Sequence, residues 1–97
     1  MQTIVYFVRA SYKTKAGAVR ERREEFFQNS DKAWDRFHAL QELANIIEVA
    51  ISEWTGDVRP GLSPKQADVR RDSPHNERVL HFACRYADGW RTPQPGR

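Results

Sequence analysis

Cys84, the histidines His38, His75 and His81, and the arginines crowded between Arg9 and Arg23 are the side chains through which this 97-residue chain could act chemically. A nucleophilic thiol needs a base within reach, and Cys84 has no histidine at a recognised spacing. In "ERVLHFACRYA" it falls on the apolar side of an alternating run, so an inert core thiol is expected. Zinc takes four ligands. His75, His81 and Cys84 supply three, and on one strand His81 and Cys84, three positions apart, face opposite ways. His38 shares a helical face with Asp35 and Glu42, where acid/base chemistry could be built, but such a trio is the ordinary solvated side of a helix. The five glycines, at 17, 56, 61, 89 and 96, stand singly and make no phosphate-cradling loop. The expectation is a non-enzyme without cofactor or metal.

The arginines suggest binding instead. Arg9, Arg20, Arg22 and Arg23, with Arg70 and Arg71 in a later loop, could meet phosphates, and Tyr12, Trp54 and Trp90 could stack on bases. Glu21, Glu24, Glu25 and Asp72 are interleaved among them and repel the same phosphates, and no motif for sequence-specific readout is present. Residues 1–29 carry six basic and three acidic side chains, 30–53 two and five, 54–76 four and three, and 77–97 four and two. The ends are basic and the middle acidic. A net charge of +3 and a pI near 9.4 mildly favour polyanionic partners. Two partner-binding surfaces follow: a basic one of Arg9, Arg20, Arg22, Arg23, Arg70, Arg71 and Trp90, and an acidic helical stripe of Asp31, Asp35 and Glu42 that suits a basic partner or imitates phosphates.

The elements that must carry these residues follow from pattern. A chain this long buries about 60–70% of its unfolded surface around one core, which sets a single domain over 1–89 and a loose tail over 90–97. "TIVYFVRASY" is dense in β-branched and aromatic residues and reads as the first strand. Gly17 then permits a hairpin turn. "AVRERREEFFQ" has good helix propensity, but Val19, Phe26 and Phe27 make only a thin apolar stripe. As a return strand it sets Arg9 opposite Glu21, Val5 opposite Glu25 and Ile4 opposite Phe26, and its charges protect a sheet edge. The hairpin is the expected form, with a helix over 16–28 as the alternative.

Ser30 reads as an N-cap, and Ala33, Phe37, Leu40, Ala44, Ile47 and Ile51 recur at helical spacing, which predicts one long helix to about Glu53. Residues 55–76 hold three prolines and two glycines and read as a long loop, with a turn of helix at Pro64 to Val69. Glu77 to Ala87 reads as a strand beside the first or central in the sheet, with Leu80, Phe82, Cys84 and Tyr86 on one face. The fold class is α+β: a small antiparallel sheet, made of the N-terminal hairpin and a C-terminal strand, packed against one long helix.

No run approaches the roughly 18 apolar residues of a membrane span, and "MQTIVYFVRASYK" lacks the basic lead and small-residue cleavage site of a secretion signal. With one cysteine, the expected setting is cytoplasmic. The order of strand, glycine turn, charged strand and "NSDKAWDRF" opening a helix is similar to small proteins of phages and mobile elements, among them some anti-CRISPR inhibitors. The likeness is architectural and covers the first half. It implies a small inhibitor or adaptor that binds a protein or ribonucleoprotein partner. The alternatives are a basic nucleic-acid-binding regulator and, if 16–28 are helical, a ferredoxin-like dimeric enzyme with a small-molecule pocket near Tyr6, His81 and Tyr86. Apolar surface left on the far face of the sheet also points to a homodimer.

Overall fold

The computed structural model describes residues 2–57 and 74–92. The fold class is as expected: one helix lies across one face of an open antiparallel sheet. The strands are β1 (Gln2–Lys13), β2 (Val19–Glu21), β3 (Glu25–Phe27), β4 (Ile46–Asp57), β5 (Glu77–Tyr86) and β6 (Gly89–Arg91), with the helix α1 (Ser30–Gln41) between β3 and β4. The spatial order is β2-β1-β4-β5-β6, and β3 joins β1 further along the edge that β2 occupies.

The charged run folds back as a hairpin, in a different register. Ser11 pairs with Glu21 and Lys13 with Val19, then Val8 with Glu25 and Tyr6 with Phe27. Arg22–Glu24 fall between the two pairings, with Arg22 N still donating to Ala10 O at 2.9 Å, and the slip by one residue moves each later side chain to a new partner. Gly17, at φ +88°, makes the turn.

The long-helix expectation fails at its second half. Asn29 caps α1, its Oδ1 accepting from Lys32 N at 3.0 Å, one residue ahead of the expected Ser30. The helix ends at Gln41, and 46–57 form the central strand β4. Ile46, Ile47, Val49 and Ile51 are β-branched, stiff at χ1 and suited to a pleated surface, so tertiary pairing wins over the helical spacing. β4 pairs with β1 along almost its whole length and with β5 on its other side.

Between α1 and the sheet lies the main core, with Val8, Ala33, Phe37, Leu40, Ile46, Val49 and Ile51 almost fully buried. A smaller cluster of Val5, Phe7 and Trp54, joined by Phe26, sits on the opposite face. The Trp54 indole lies along Gly56, where an added Cβ would come within 2.7 Å of its ring. The β5 expectation holds in extent, but a bulge between Ile51 and Ser52 resets its alternation. Val79 turns to the helix-free face and Leu80 packs with the helix-side core. At the far edge Gly89–Arg91 form β6 against β5, so Trp90 and Arg91, expected in the tail, are strand residues. The Pro64–Val69 turn, Arg70, Arg71 and 93–97 lie outside the described residues.

Candidate functional site

The hairpin edge is where the arginines gather, and their neighbours decide what charge they present. Glu25 is taken by the helix: Arg36 Nε donates to its Oε2 at 2.8 Å. Glu24 faces Arg9 at 3.8 Å. Glu25 is thus drawn to a cation outside the run, and Glu24 to Arg9, one member of the expected basic set. Among the described residues Arg20, Arg22 and Arg23 form no salt bridge, and neither do Lys13 and Lys15 at the adjoining turn. Glu21 is the remaining carboxylate there, so the edge keeps a net positive field.

The break at Arg22–Glu24 opens space on both sides of the sheet. On the helix-free side is a cleft of about 360 Å³, with Ala50 and Phe82 among its lining residues and Arg9, Arg22, Glu21, Glu24 and Glu48 supplying its charges. Pairing places Glu21, Ser11, Glu48 and Cys84 in one row across this face. Desolvation, and next the charge of Glu48, push the Cys84 thiol above its ordinary pKa and so favour its protonated form. Below the end of α1 is a second, open-sided notch of about 370 Å³, lined by Tyr12, Glu21, Arg22, Arg23, Asn45 and Ile46.

The sequence-derived basic set is only partly brought together. Arg9, Arg20, Arg22 and Arg23 share the hairpin edge, whereas Trp90 stands on the opposite edge of the sheet. Its Nε1 donates to Gln41 O at 3.0 Å, and its ring lies 4.8 Å from the Arg85 guanidinium. Arg85 in turn donates to the carbonyls of Ala44, Gln41 and Leu43 at 2.7, 2.8 and 3.0 Å. This pair closes the C-terminus of α1, a structural task that the sequence reading missed because it needs residues 41 and 85 together. Trp54 is buried. Of the three aromatics considered for stacking, Tyr12 alone stays beside the arginines, directly opposite Arg20.

The acidic stripe is exposed as expected, with Asp31 in the first turn of α1, Asp35 outward and Glu42 at the C-cap. His38 and His81 flank Phe37, 5.4 and 5.5 Å from its ring. Among the described residues no three His, Cys, Asp or Glu side chains converge as metal ligands, and no described helix is long and apolar enough to cross a membrane. The helix over 16–28 on which the enzyme alternative depended is replaced by β2 and β3. Comparison with protein-family models, with curated proteins and with solved structures finds no match to this chain.

Proposed function

We propose that this chain is a non-enzymatic binding protein, an inhibitor or adaptor whose Arg20–Arg23 edge docks on a protein or ribonucleoprotein partner. The observation that carries this reading is the division of charge in the hairpin: Arg36 and Arg9 hold Glu25 and Glu24, while among the described residues Arg20, Arg22 and Arg23 form no salt bridge. Guanidinium groups form paired hydrogen bonds to carboxylate or phosphate. An anti-CRISPR-like inhibitor of a host nucleoprotein complex is the most specific form of the proposal, resting on the architectural likeness of the first half. It carries with it a cytoplasmic location, for which the lone cysteine argues.

The test is capture from a host lysate by the intact chain and by the variant R20A/R22A/R23A. A stoichiometric partner retained by the first and lost at least about ten-fold by the second is expected, that factor corresponding to roughly 1.4 kcal/mol. Equal retention by both removes the hairpin from the interface. The alternative, direct nucleic-acid binding, rests on the same arginines and shows itself as affinity for random DNA or RNA that falls steeply with salt. A homodimer through the helix-free face would appear as twice the chain mass in light scattering.

A further inference from the structure

The notch under the helix end brings together an aromatic ring, two arginines and a carboxamide, the groups that an unpaired nucleotide requires. We infer that it binds one nucleotide of a single-stranded nucleic acid, with Tyr12 as stacking platform, Arg22 and Arg23 on the flanking phosphates and the Asn45 carboxamide on the base edge. The inference rests on the reading above and names the partner's contacting chemistry as a nucleic-acid strand.

Each role follows from position. Tyr12 is half-buried, its ring packed against the core that α1 and the sheet enclose, so its orientation is set before anything binds. A base laid on such a ring gains stacking without first ordering the ring, and every base has a face to stack. Arg22 and Arg23 lie in the stretch between β2 and β3, and both line the notch. With no carboxylate bound to either among the described residues, their donors are open to phosphate oxygens. Asn45 is held at the backbone, where its carbonyl accepts from Lys13 N at 2.9 Å. Its side chain offers both a donor and an acceptor, the pairing by which an amide reads a base edge.

The volume of about 370 Å³ suits one nucleotide, near the lower end of small-ligand pockets of roughly 300–1,000 Å³. The open side lets a strand enter and leave. Lys13, Lys15 and Arg20 continue the positive field along the hairpin for neighbouring phosphates. Glu21 also borders the notch. Its negative charge disfavours the denser phosphate charge of a duplex.

The experiment is fluorescence anisotropy with labelled single-stranded decamers of RNA and DNA and with the matching duplexes, titrated against the full chain at several salt concentrations. Single strands are expected to bind about ten-fold or more tightly than duplex. R22A/R23A should lose about ten-fold and flatten the salt slope by roughly 1.4, two phosphates at about 0.7 each. Tyr12→Leu keeps an apolar side chain against the core but removes the aromatic face, and a loss of about ten-fold is expected with the salt slope unchanged. Tyr12→Phe should bind as the parent does. Absence of oligonucleotide binding, equal affinity for duplex, or an unaffected Tyr12→Leu variant each overturns the inference. If a protein partner is captured through the arginines while no oligonucleotide binds, the inference fails and the binding-protein reading stands. If capture itself ignores the arginines, that reading fails first.

Discussion

Arg85 is the residue whose role reaches furthest, because one guanidinium serves three carbonyls that the helix cannot satisfy itself. Truncation leaves the Ala44 carbonyl to water, leaves Gln41 O with Trp90 Nε1 and Leu43 O with Ile46 N as donors, and takes the cation from the Trp90 ring. Arg85→Ala should therefore cost about 1.5–3 kcal/mol in chemical denaturation, the scale of a charged hydrogen-bonding group. Arg85→Lys should recover only part of that loss, since a point ammonium cannot span the fork. Cys84 gives a second prediction at this scale. Desolvation first, and the Glu48 charge next, favour the protonated thiol in the folded state. Its contribution to stability is therefore present below the unfolded thiol pKa and lost as pH rises through the higher folded value. Alkylation of the folded chain at pH 8 should be slower than that of a free thiol, and Glu48→Gln should speed it. Equal rates in the parent and this variant would show that the carboxylate does not act on the thiol.

Among the elements, β4 is the one on which the others depend, and it is the one that the sequence concealed. Ala44, Ile47 and Ile51 continue the helical spacing of Ala33, Phe37 and Leu40, so periodicity alone extends the helix through them. What decides against it is the run of β-branched residues together with two neighbouring strands, and only the second arises from distant chain. β1 and β5 were legible because their composition and period agree; the hairpin was legible in kind but not in register, since the break at Arg22–Glu24 has no local signature. The candidate notch was legible as arginines and Tyr12, whereas Asn45 and Ile46 join it only because the helix stops early. Gly56 tests β4 directly. Gly56→Ala pushes a methyl against the Trp54 ring and should cost about 1–3 kcal/mol, read by thermal or urea unfolding. An unchanged stability would mean that the indole is free to move aside.

At the scale of the whole molecule, binding and folding draw on different parts of the sheet. The core lies under α1 and around Trp54, and the arginines Arg20, Arg22 and Arg23 stand on the edge outside it. R20A/R22A/R23A lowers the formal net charge from +3 to 0 yet takes no side chain from either core cluster. Its stability should stay within about 0.5 kcal/mol per site of the parent, while its affinity for a polyanion column should fall to elution at lower salt. Unfolding of the variant would instead make the edge part of the scaffold. The placement of β4 has a last consequence, for how the molecule is made. Its second neighbour, β5, follows it in the chain, so a nascent chain that has emerged through Asp57 carries its middle strand with one flank of amides and carbonyls still open. That flank is a template for chaperones or like chains until β5 emerges and closes it.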